Sequence, residues 1–221
     1  VPWAILMDPT DRCNLRCQGC WAGEYTHKSD MDYELLDRII TEGEQLSIHF
    51  YVLSGGEPLV RKDDIVKLAL KHKDSIFHVF TNGTLIDKQF AENCVKAGNI
   101  IFAISVDGFE KSTDKRRGKG VFQKVMQAAD ILREHGLLYG FSTTYHRYNV
   151  EEVCSDEYMD MLVDKGFRYG WYFTYVPVGA DSDLDFMATP EQRAYCYHRI
   201  REMRKTKPVF TADFWNDGEA V

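Results

Sequence analysis

The sequence predicts an α/β fold: a parallel sheet with helices on its outer face and the functional groups at the carboxyl ends of the strands. Two observations carry this. Short β-branched and aromatic runs alternate with segments of helical period through six strand-then-helix units joined by short loops. Every unusual short motif, a triplet of cysteines included, falls directly after a run that reads as a strand. Such a sheet is either open and doubly wound or an incomplete barrel of the (β/α)8 kind, and periodicity allows both.

The first strand is the apolar opening at residues 3–7, followed by the cysteine loop TDRCNLRCQGCWAGE. Residues 31–46 place Leu35, Leu36, Ile39, Ile40 and Leu46 at mostly helical spacing, with Asp30 expected as the cap. Residues 48–53 (IHFYVL) read as a buried strand that stops at Ser54-Gly55-Gly56-Glu57-Pro58. A helix over 63–72, a strand over 76–80 and the turn Thr81-Asn82-Gly83-Thr84 follow. Residues 87–97 form a helix closed by Gly98, and residues 100–106 (IIFAISV) a strand ending at Asp107-Gly108. The helix over 121–135 stops at Gly136. A strand over 137–145, a helix over 151–165 closed by Gly166 and a strand over 169–176 complete the alternation. The last helix opens at Thr189-Pro190-Glu191-Gln192, which combines a cap, a first-turn proline and a glutamine three residues after the cap.

A chain of 221 residues is long enough for one large domain, and 44% hydrophobic with 28% charged residues excludes a disordered or fibrous protein. The formal charge is −7, and the one basic run, Lys115-Arg116-Arg117-Gly118-Lys119, reads as a solvated loop, so no nucleic-acid partner is expected. No apolar run approaches the roughly 18 residues that span a bilayer, and the start lacks the basic flank and small-residue site of a signal peptide. A cytoplasmic protein with no membrane span is expected. In that reducing compartment clustered cysteines point to metal or redox chemistry rather than to disulfides. The first residue, Val1, and the abrupt end at FWNDGEAV read as a domain cut from a longer chain. On this expectation the core domain covers residues 1–206, and residues 207–221 begin a C-terminal extension.

Half of the six cysteines, Cys13, Cys17 and Cys20, fall within eight positions. Four thiolates close a structural zinc or iron–sulfur site, whereas three leave one metal position open to another ligand. The remaining cysteines, Cys94, Cys154 and Cys196, read as small inert side chains. The seven histidines show no paired zinc spacing, and His27 alone lies near the triplet in sequence, so an iron–sulfur cluster fits the soft thiolates better than zinc. The paired Gly55 and Gly56 allow backbone to approach a ligand closely, and the carboxylate of Glu57 beside them suits a cationic amine. A plain turn explains this tetrapeptide equally well when it is taken alone, as it does Asn82-Gly83 and Asp107-Gly108.

With these residues the chain resembles the radical S-adenosylmethionine (radical SAM) enzymes: Cys13-Asn14-Leu15-Arg16-Cys17-Gln18-Gly19-Cys20 matches their CxxxCxxC loop, and Gly55-Gly56-Glu57-Pro58 looks like their GGE loop. The resemblance runs from the cysteine loop through the sixth strand. It implies a partial (β/α)6 TIM-like barrel with parallel strands, in which Cys13, Cys17 and Cys20 hold a 4Fe-4S cluster whose fourth iron chelates S-adenosyl-L-methionine. Gly55, Gly56 and Glu57 would then hold the methionine end. Thr81, Asn82, Ser105, Asp107 and, on the fifth strand, Thr143 are the further cofactor-binding residues implied, with Ser105 the ribose contact. The implied reaction is reductive cleavage of S-adenosylmethionine to methionine and a 5′-deoxyadenosyl radical, which abstracts a substrate hydrogen atom. Its partners would be a small-molecule or peptide substrate and an external one-electron donor such as a flavodoxin or ferredoxin. Two departures stand out: Gly19 occupies a position where many relatives carry an aromatic residue, Trp21 lying just after it, and the fifth strand lacks the glutamate of a GxIxGxxE pattern. Two other readings compete. One is a non-catalytic iron–sulfur or zinc module for electron transfer or structure. The other is an acid–base barrel enzyme using Asp107, Glu57 and His146.

Overall fold

Seven strands lie side by side in chain order and all run parallel. They are β1 (Ile5–Met7), β2 (Phe50–Leu53), β3 (Ile76–Thr81), β4 (Ile100–Ser105), β5 (Tyr139–Tyr145), β6 (Tyr169–Thr174) and β7 (Phe210–Asp213). The crossovers are α1 (Tyr33–Gln45), α2 (Lys62–Lys71), α3 (Lys88–Ala97), α4 (Glu110–Arg117) with α5 (Val121–Glu134), α6 (Val150–Val153) with α7 (Asp156–Asp164), and α8 (Pro190–Thr206). The computed structural model describes residues 2–23, 28–178 and 182–217. His27 and Gly179 lie outside them. Among the described residues no helix is long and apolar enough to cross a membrane.

The strands alternate between two apolar environments. On β3, Phe77 and Val79 join the core packed under the helices, with Phe102 and Ile104 of β4 and Phe141 of β5 beside them. Leu36, Leu68, Phe90, Val125 and Leu132 close that core from the helix side. The intervening residues, His78 and Phe80 on β3, and Trp171 and Phe173 on β6, face a cavity instead. In a flat sheet β3 and β6 would stand about 14 Å apart, three strand spacings. The rings of His78 and Tyr169 are 5.5 Å apart, and those of Phe80 and Phe173 6.1 Å. The sheet is therefore curled, with its concave face lined by aromatic side chains. It is a partial barrel of parallel strands, as the resemblance implied.

The structure differs from the sequence reading in a seventh strand, in two helices and at the cap of α1. A seventh strand follows the six expected: residues 210–213, at the expected start of the extension, pair with Tyr169–Tyr172. Helix α4 was not expected, because EKSTDKRR carries no apolar stripe. The helix expected over 151–165 is broken, Ser155 capping α7 by accepting from the Tyr158 N–H. Asp32, not Asp30, stands at the N-cap of α1, and Asp30 pairs with Arg12 of the cysteine loop at 2.6 Å. The Thr189–Gln192 capping box forms as expected.

Candidate cofactor site

One cavity of about 790 Å³ opens at the carboxyl ends of the strands and runs down the concave face. Cys13, Cys17 and Cys20 line it, with Gly55, Gly56 and Glu57 after β2, Thr81 and Asn82 at the end of β3, and Ser105 at the end of β4. Asp107 and Thr143 are not among its lining residues. Thr143 points to the other side of the sheet, where its hydroxyl donates to the Val106 carbonyl at 2.7 Å, and its neighbours Ser142 and Thr144 face the cavity instead. The alternation of side chains along a strand decides this.

The GGE loop makes contacts within the protein that its sequence does not announce. Its backbone N–H groups donate to the end of β1 and to the cysteine loop: Ser54 to the Met7 carbonyl, Gly56 to Thr10 and Glu57 to Arg12, at 2.9, 3.0 and 2.7 Å. A Cβ on Gly55, at φ +103°, would lie 2.6 Å from the Thr10 oxygen, and one on Gly56 would collide with the Arg12 carbonyl. The close backbone approach that the glycines permit is thus between the two loops. The Glu57 carboxylate is buried and accepts from the Leu59 N–H (3.0 Å), the Thr81 hydroxyl (2.6 Å) and the Asn82 N–H (2.7 Å). Burial pushes its carboxyl above the ordinary value, against the pull of these three bonds.

Asn82 extends the brace. Its side-chain amide donates to Asn14 inside the CxxxCxxC loop at 2.8 Å, and Asn14 donates to Thr84 at 2.8 Å. On the far side the Gln18 N–H donates to the Arg116 carbonyl at 2.8 Å. Gly19 adopts φ +63°, and a Cβ there would lie 2.5 Å from the Tyr175 ring, which comes from the end of β6. Tyr175 fills the space beside Gly19, while Trp21 lines the cavity and stays 53% exposed.

The basic run expected to be a solvated loop instead buries two of its charges. Arg116 and Arg117 end α4 with side chains only 7% and 10% exposed, and both bind Asp107, which is fully buried. Asp107 Oδ2 accepts from Arg116 Nη1 at 2.8 Å and from Arg117 Nε at 2.6 Å, and Oδ1 accepts from the Thr144 N–H at 2.9 Å. Burial alone would raise this carboxyl; the two guanidinium groups outweigh it and hold it well below the usual range. Both arginines line the cavity. Burial raises the Cys17 thiol, and Arg117 and Arg116 pull it the other way. A charge run followed by a glycine carries no periodic signal, which is why the pair was missed. Its only sequence clue was the buried-strand end that placed Asp107 nearby.

The acid–base grouping of Asp107, Glu57 and His146 is not assembled. Asp107 and Glu57 are occupied as described, and His146 lines a separate cavity of about 300 Å³, stacked on Phe186 at 3.8 Å. The remaining cysteines are buried away from the rim, Cys154 and Cys196 against each other in the helical layer.

Comparison with known proteins places this geometry. A sequence profile of the radical SAM superfamily matches residues 7–183. The Fe-coproporphyrin III synthase of Methanosarcina barkeri (strain Fusaro / DSM 804) is 30% identical over 162 residues, 67% of this chain and 38% of that protein. The AdoMet-dependent heme synthase of the same organism is 29% identical, over 95% of this chain and 60% of its own length. The chain thus spans 38% and 60% of the length of these two curated relatives, less than two thirds of either. Among solved structures, Streptococcus suis SuiB bound to S-adenosylmethionine superposes with a TM-score of 0.80 at 18% identity, covering 96% of this chain and 50% of that one. That likeness is one of fold.

Proposed function

We propose, from the premise that this chain belongs to the radical SAM superfamily, that it is the core of an enzyme that binds a 4Fe-4S cluster and S-adenosylmethionine in the cavity at its strand ends. The observation that carries the reading is that the three cysteines, the GGE loop and the ends of β3 and β4 share one cavity. When bound, the two cofactors supply one-electron reductive cleavage of a carbon–sulfur bond and removal of a hydrogen atom from substrate.

The residues present fit that pair. Among the described residues no three His, Cys, Asp or Glu side chains converge closely enough for a single metal ion. A zinc ion with sulfur ligands at about 2.3 Å needs such convergence, whereas each iron of a cluster takes one thiolate. Cys13, Cys17 and Cys20 would hold three irons. Glu57, Asn82 and the Gly55-Gly56 backbone hold the cysteine loop in register with β2 and β3, so the cofactor contact at this loop falls to backbone groups and to whatever capacity Glu57 has left. The Arg116 and Arg117 pair, fixed by Asp107, supplies positive charge beside Cys17 for an anionic cluster or a carboxylate. Ser105, Ser142 and Thr144 offer hydroxyls along the same wall, and the aromatic residues below exclude water. The substrate is a small molecule or a peptide, and an external one-electron carrier such as a flavodoxin or ferredoxin supplies the electron.

Iron and sulfide content tests the ligand set. Anaerobically reconstituted protein should hold four irons and four sulfides per chain by the chemistry of the proposed cluster. Cys13→Ser, Cys17→Ser and Cys20→Ser should each lose most of it, and Cys94→Ser should retain it. Retention of the cluster in all three rim variants would refute the assignment.

A further inference from the structure

The cavity does not end at the rim. Below it, on the same concave face, the rings of Phe50, His78, Phe80, Trp171, Phe173 and Phe214 form a continuous aromatic wall, neighbouring centroids standing 4.8–6.5 Å apart. His78 precedes Thr81, the end of β3, by three residues and so lies about 10 Å beneath that strand end, while Phe80, Phe173 and Phe214 stand nearer the rim. Two polar groups sit in it without protein partners. The Trp171 indole N–H donates to nothing among the described residues but is buried with no surface open to the cavity. The other is a ring nitrogen of His78, identified by following the protons. The Tyr169 hydroxyl has one proton and donates it to the Phe102 carbonyl at 2.7 Å. Its 3.1 Å contact with His78 Nε2 therefore requires that Nε2 carry the proton. His78 is neutral, burial holding it down to about 4. Its Nδ1 is consequently a bare acceptor, with no protein partner among the described residues.

We infer that this floor is the substrate subsite for an aromatic ring carrying a hydroxyl group. His78 lines the cavity, so the hydroxyl of a ring seated against the aromatic wall can donate to Nδ1. An unsubstituted ring would fill the same aromatic slot and leave Nδ1 unpaired, which is the arrangement that discriminates most strongly between otherwise similar ligands. A charged head group finds no counter-ion here, because the arginines line the rim. Tyr169 acts as a positioning residue, since its hydroxyl fixes the His78 tautomer. The inference rests on the reading that the rim holds the cofactors, leaving the floor for the group that reacts with them.

The test uses the full-length reconstituted protein with S-adenosylmethionine present, and calorimetric titration with N-acetyltyrosinamide and N-acetylphenylalaninamide. The tyrosine amide should bind about tenfold more tightly. His78→Phe should abolish most of that preference, and an unchanged circular dichroism spectrum shows that the variant folds. Tyr169→Phe should weaken the preference without touching the ligand. Equal affinity of wild type for the two amides, a preference that survives His78→Phe, or no binding of either amide to iron-loaded protein would overturn the inference. Cleavage of S-adenosylmethionine, measured in parallel, reports separately on the cofactor reading.

Discussion

Replacing Asp107 with Asn keeps the side-chain shape and removes one charge from beneath two arginines. Asp107 is fully buried, and its partners Arg116 and Arg117 are about nine-tenths buried, so solvent cannot replace the lost carboxylate. Breaking a buried ion pair by removing one partner costs about 3–5 kcal/mol, because a cation is left desolvated and unpaired. Against a total stability of about 5–15 kcal/mol this is a large fraction. For a chain of this size it corresponds to a fall in Tm of about 6–20 °C. Urea unfolding of the metal-free protein at pH 7, followed by circular dichroism, gives the free energy; the midpoint should fall while the slope stays constant. Glu134→Gln, which removes a well-exposed partner 4.0 Å from Lys88, should change nothing measurable and serves as the control. A loss below about 1 kcal/mol for Asp107→Asn, the scale of a surface pair, would show that the arginines are solvated and refute the burial argument.

Two further outcomes follow from the same geometry. Gly56→Ala drives a Cβ into the Arg12 carbonyl and should cost about 1–3 kcal/mol through overpacking while lowering iron uptake, since it pushes the cysteine loop off β2; unchanged stability and iron content would contradict the loop-on-loop contact. His78 and His146 are each held down to about 4 by burial, from an ordinary 6.5. The folded state then binds fewer protons than the unfolded one between these values, so stability is complete above pH 6.5 and falls as pH drops toward 4. Each should contribute a loss of about 2 kcal/mol between neutral pH and pH 5, and urea midpoints measured across that window should lose about half their slope in His78→Phe.

The parallel α/β alternation and the face that carries the site were legible in the sequence because short apolar runs and the cysteine, GGE and TNG motifs are local signals. Pairing of one loop with another was not. Nothing in Gly55-Gly56 tells whether its open backbone approaches a ligand or, as found, the carbonyls of Thr10 and Arg12. The same limit explains Thr143: which of two adjacent residues faces the cavity depends on the strand's register, and a shift of one residue exchanges the faces. Arg116 and Arg117 escaped because α4 is polar throughout, and burial of its last turn depends on a carboxylate nine or ten residues earlier in the chain. Strand β7 escaped because it is four residues long and follows the last helix.

The most direct test of the cofactor reading is product analysis. Full-length protein, anaerobically reconstituted with iron and sulfide, reduced with dithionite and supplied with S-adenosylmethionine, should release 5′-deoxyadenosine and methionine, and Cys17→Ser should release neither. Wild-type protein that carries an intact cluster and binds S-adenosylmethionine, yet leaves it uncleaved under these conditions, would contradict the account.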